Sequence, residues 1–77
     1  MSRKEKLLRK IINNPKDVIF ADLQKILEWD GWCIHAHNST HYTYFRRGSG
    51  RVTIVRKGDG RVKEYYVKEV LRMMGVL

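Results

Sequence analysis

The residue types that could do chemistry cluster in one stretch. His35, His37 and His41 stand close together, and His41 is followed by Tyr42, Tyr44, Arg46 and Arg47. An imidazole titrates near neutral pH, so His41 is a candidate to take or deliver a proton in working conditions. Cleavage of RNA by its own 2′-hydroxyl needs such a group. It needs a base for the hydroxyl proton, an acid for the leaving 5′-oxygen, and cations for the charge that builds on the phosphate. Arg46, Arg47, Arg51, Arg56 and Lys57 lie close by in the chain and read as a phosphate-contacting hairpin surface, although a charge run is often just a solvated face. One histidine contributes roughly 10² to 10⁴ in rate, so a nuclease built on it alone is slow. Taken by themselves, these residue types fit an ordinary solvated histidine beside a basic hairpin better than a catalyst.

Other chemistries find less support. A strand carrying His-x-His would put His35, His37 and Cys33 on one face, but no further ligand stands at a suitable spacing, so no metal or cofactor is expected. The "GSG" and "GDG" runs lack the strand-to-helix context and the lysine of a phosphate-binding loop, and read as turns. No Ser-His-Asp or Cys-His pairing can be argued from spacing.

The elements that position these residues follow from length and periodicity. A chain of 77 residues makes one domain, 1–77, near the lower limit for folding unaided. Within it, 1–15 reads as an N-terminal helical extension and 20–77 as the core. Leu7, Leu8, Ile11 and Ile12 recur at helical spacing behind Ser2 as a cap, and "NNP" ends that helix. A second helix covers Phe20 to Trp29, with Leu23, Ile26 and Leu27 on its buried stripe and Gly31 as its stop.

From Trp32 the period changes to two, and "WCIHAH" reads as a half-buried strand with Trp32, Ile34 and Ala36 on one side. Asn38 and Ser39 read as a turn, "THYTYFRR" as a second strand, "GSG" as another turn and "RVTIVRK" as a third strand. A last helix spans about Lys63 to Met74, with Gly75 as its stop. The expected fold class is α+β, in the order α-α-β-β-β-α: a small three-stranded antiparallel sheet with helices on one face and the other face open. Register is left open, and a slip of one residue would move His41 across the sheet.

Sixteen Lys and Arg against eight Asp and Glu give a formal charge of +8, which favours polyanionic partners. No helix combines Arg and Lys with Asn or Gln on one face as a reader of the DNA major groove would. A single cysteine, no apolar run of membrane-spanning length and no leader of signal-peptide type point to a reduced, cytoplasmic protein with no membrane association.

The run "LQKILEWDGWCIHAHNSTHYTYFRRGSGRVTIVRK" resembles the HicA-type mRNA interferase toxins of bacterial type II toxin–antitoxin pairs. Gly31 and Trp32 match the Gly-aromatic pair that opens that family's first strand. Thr40 and His41 fall on its Ser-His, with Tyr42 and Tyr44 behind them. "RVTIV" and the C-terminal helix extend the likeness over about Asp22 to Leu77. Ser39 stands where the family has glycine, and Val55, Arg56 and Lys57 where it often carries a further histidine. The resemblance implies a double-stranded-RNA-binding-domain-like fold and a metal-independent endoribonuclease that cuts mRNA. It also implies His41 as the catalytic general acid or base, and inhibition by an acidic HicB-type antitoxin that covers it. RNA contacts fall to Thr40, Tyr42, Arg46, Arg47, Arg51, Arg56 and Lys57. The alternative is a noncatalytic RNA-binding or protein-binding module on the same fold.

Overall fold

A computed structural model describes residues 2–77. Helix α1 (Arg3–Asn13) starts where the Ser2 hydroxyl accepts the Glu5 backbone N–H at 3.2 Å, one arm of a capping box. Its apolar stripe packs against α2 (Phe20–Trp29), and Ile11, Leu7 and Leu8 join the same core cluster as the rest of the molecule. Between these helices, β1 (Val18–Ile19) pairs antiparallel with β5 (Arg61–Val62), placing Val18 opposite Val62. This two-stranded ribbon has no counterpart in the sequence reading, because two residues are too few to show a period.

Strands β2 (Cys33–Asn38), β3 (His41–Arg46) and β4 (Gly50–Val55) form an antiparallel sheet in the order β2-β3-β4. Helix α3 (Glu64–Met73) closes the chain. The structure is thus a small α+β domain with a three-stranded antiparallel sheet and three helices. Tyr44, Val52 and Ile54 point from the sheet into the core, where they meet Leu23, Ile26 and Leu27 of α2 and Val67, Val70 and Leu71 of α3. Alternation then sends His41, Thr43, Phe45, Arg51, Thr53 and Val55 to the opposite, helix-free face.

Strand β2 departs from the sequence reading. All six of its residues are exposed, where a half-buried strand was expected. It is an edge strand beyond the helices' cover, unlike the other edge, β4, which packs against α3, and Trp32, buried to 1% exposure, lies just outside it. A bulge between Ile34 and Ala36 also breaks the alternation. Ile34 pairs with the inward Tyr44, but Ala36 pairs with the outward Thr43, so the expected Ile34–Ala36 face does not exist.

The turn before β3 is likewise one residue later than expected. Asn38 belongs to β2 and pairs with His41, leaving Ser39 and Thr40 as the loop. Ser39 adopts φ 55°, the left-handed region that hairpin loops of this length demand and that glycine enters at less cost.

A candidate RNA-processing face

Two devices fix the strand that carries His41. At one end, α2 stops in a Schellman motif: the Gly31 N–H donates to the Glu28 carbonyl at 3.1 Å and the Trp32 N–H to the Leu27 carbonyl at 3.0 Å. Gly31 sits at φ +90°, which lets the chain reverse and drop the Trp32 ring into the core. The Trp32 Nε1–H donates to Asp30 at 3.1 Å, and the same carboxylate takes the Arg46 guanidinium from the far end of β3. Arg46 also donates to the Ser49 hydroxyl at 2.8 Å and lies 5.1 Å from the Trp32 ring centroid. Its guanidinium is therefore committed to the frame.

At the other end, Tyr42 packs on Phe20 of α2 with ring centroids 4.4 Å apart, and His37 stacks on Tyr42 at 4.2 Å. His37 is further tied by its Nε2 to the Ser39 carbonyl at 3.0 Å. The Arg56 N–H donates to the Thr40 carbonyl at 2.8 Å, closing β4 against the loop. His41 is presented between these anchors, on the open face, with Asn38 on one side and Val55 on the other.

The His41 ring is exposed, and its one hydrogen-bond partner among the described residues is the Thr40 hydroxyl, 3.4 Å from Nδ1. A hydroxyl can donate or accept. When it donates to Nδ1, the neutral ring carries its proton on Nε2 and offers only a hydrogen bond; the form that can act as acid is the imidazolium, whose Nδ1–H donates to the hydroxyl. When it accepts from Nδ1–H, Nε2 presents a lone pair and can act as base. Either way the outward nitrogen is free for a substrate.

The three histidines do not converge. The bulge sends His35 to the open face, with its ring centroid 6.2 Å from that of Phe45, while His37 turns to the Tyr42 side. The single face for His35 and His37 read from the sequence is therefore corrected. Among the described residues no group of three or more His, Cys, Asp or Glu could hold a metal ion.

The remaining sequence-assigned residues are distributed around His41. Arg51 lies on the same face, opposite Phe45, roughly 13–14 Å along the strand at about 3.4 Å per residue. Arg47 is exposed in the β3–β4 turn. Arg56, Lys57 and Thr40 are exposed at the His41 end, where Arg56 borders a shallow groove with Phe20, Gln24 and Asp59. The Arg61 backbone N–H, 3.0 Å from Asp59, holds that carboxyl below the usual range, with Lys57 and Arg61 adding to the effect. Arg47, Arg51, Arg56 and Lys57 have no salt-bridge partner among the described residues.

Sequence reasoning passed over Asn38, whose carboxamide stands directly across from His41, and the hydroxyl pair Thr43–Thr53, 3.1 Å apart on the open face. The position of the two-residue turn, one residue later than expected, would have located Asn38. From Gly31 to Gly58 the chain contains no Asp or Glu, so the only formal charges on this face and its turns are positive. No protein-family model, curated protein or solved structure matches the chain.

Proposed function

We propose that this chain is an mRNA-cleaving endoribonuclease, the toxin of a type II toxin–antitoxin pair, with the HicA-type activity and double-stranded-RNA-binding-domain-like fold that its sequence resembles. The observation that carries the reading is the setting of His41: exposed on an open sheet face, its Nδ1 shared with the Thr40 hydroxyl, in a stretch of chain free of carboxylates. His41 takes the 2′-hydroxyl proton or delivers one to the 5′-oxygen. Arg56 and Lys57 flank the scissile phosphate, and Arg47 and Arg51 hold phosphates further along the strand. The Thr40 hydroxyl holds Nδ1 of His41 in either protonation state, and Tyr42 fixes the strand beneath it.

Such a protein needs a counterweight in its host. An acidic antitoxin that covers His41 meets a +8 surface by electrostatically accelerated association, which weakens as salt rises. One observation favours the noncatalytic alternative, a binding module: among the described residues no second acid or base is hydrogen-bonded to His41.

Expression of the wild type and of His41→Ala in a bacterial host without antitoxin separates the two readings, following growth and mRNA integrity together. Growth arrest and message loss confined to the wild type are expected, with RNA affinity little changed in the variant. Two folded, harmless chains would leave a binding module.

A further inference from the structure

Phe45 is a large aromatic side chain left 41% exposed on the central strand of the sheet, on the face the helices do not cover. The ring of His35 stands beside it, and Arg51 is its cross-strand partner on β4. Between Phe45 and His41 on the same row lies Thr43, hydroxyl to hydroxyl with Thr53. The open face thus reads, along β3, as a proton-transfer group, a pair of hydroxyls and an aromatic plate flanked by a cation.

We propose that this face docks an unpaired RNA segment, with a base stacked on Phe45 beside His35 and the adjoining phosphates held by Arg51 and Arg47. The inference rests on the nuclease reading for its polymer class and adds the strandedness of the substrate and the residue that grips it.

Charge complementarity selects the occupant, since β2, β3, β4 and their turns contain no carboxylate while Arg47 and Arg51 are unpaired among the described residues. Around Phe45, at the far end of β3 from His41, surface chemistry argues against an acidic protein as the occupant. The row carries one aromatic among hydroxyls, where the centre of a protein interface clusters several large apolar side chains. A duplex is also a poor fit, because its base faces are already stacked on one another and cannot meet the Phe45 ring. Aromatic plates with neighbouring cations on open sheets suit unpaired bases, and each such stack is worth about 1–3 kcal/mol by alanine substitution.

The test uses the full chain carrying His41→Ala, so that bound RNA survives, and an end-labelled unstructured oligoribonucleotide as probe. Adding Phe45→Ala or Phe45→Leu should weaken binding by about 5- to 150-fold, and adding Phe45→Trp should preserve it. Circular dichroism establishes that each variant is folded, and Leu keeps apolar bulk while removing the π-face. A duplex of the same sequence should bind at least about tenfold more weakly and be insensitive to Phe45.

Single-strand affinity unmoved by Phe45→Leu in a folded chain overturns the proposal, as does a duplex bound equally well. Binding of an acidic protein but of no RNA overturns it too. Failure of the nuclease reading is read separately: a wild type that never cuts RNA, yet binds it through Phe45, refutes catalysis and leaves the docking face standing.

Discussion

Tyr44 shows how an inward-facing strand residue carries a cost that its neighbours offset. It is 1% exposed, and its hydroxyl is the one buried side-chain polar atom without a hydrogen-bond partner among the described residues. Burial pushes its phenol above the ordinary value, Gln24 works against the shift, and Glu28 and Tyr42 add to it. Gln24 offers the phenol a side-chain contact that falls short of hydrogen-bond geometry, so the hydration lost on burial is returned only in part. Tyr44→Phe should therefore leave stability at neutral pH within about 1 kcal/mol of the parent or raise it, measured by urea unfolding. The sign of the pH effect follows from the raised pKa: the unfolded chain releases the phenolic proton near the ordinary value of 10.0, while the folded chain holds it to higher pH. Stability thus falls as pH climbs above the unfolded value toward the folded one. The wild type should lose more stability than the Phe variant between pH 7 and roughly pH 11.

At the scale of elements, the Asp30 carboxylate joins the end of α2, the start of β2 and the end of β3. It accepts from the Trp32 indole and pairs with Arg46, both part-buried. Asp30→Ala leaves an indole N–H and a guanidinium without their acceptor. A loss of about 2–4 kcal/mol in unfolding free energy is expected, with Asp30→Asn recovering the part due to Trp32. A loss below about 0.5 kcal/mol would show that the clamp is ornamental. The helices of this frame were legible because an apolar stripe announces itself: Leu23, Ile26 and Leu27 repeat at helical spacing and are all 0% exposed. The clamp was not, since Asp30 and Arg46 are far apart in sequence and their pairing depends on strand register. Nor was the split of His35 from His37, because the bulge between Ile34 and Ala36 leaves no mark in residue type. On an edge strand exposed on both faces, burial does not enforce a strict alternation either. His41 could be singled out from its neighbours in the chain, but its face could not.

For the whole molecule, the distribution of charge predicts more than its total. Two clusters stand out among the sixteen Lys and Arg. One comprises Arg47, Arg51, Arg56 and Lys57 around the sheet and its turns, and the other Arg3, Lys4, Lys6 and Arg9 on α1, which packs against α2. The two groups make different predictions for RNA binding, because each phosphate neutralised releases condensed counterions and steepens the salt dependence. If the four sheet cations alone engage a single strand, log K should fall against log salt with a slope of about −3, a loss of roughly 60-fold between 50 and 200 mM. Recruitment of the α1 cations would bring the slope toward about −5 or −6. The slope measured on His41→Ala should be near −3, falling by about 0.7 for each of Arg51→Gln and Lys57→Gln and not at all for Arg3→Gln or Lys6→Gln. A slope that responds to α1 and ignores Arg51 would place the RNA on the helical side of the molecule. The basic sheet would then be left to an acidic partner of another kind, and His41 without a substrate.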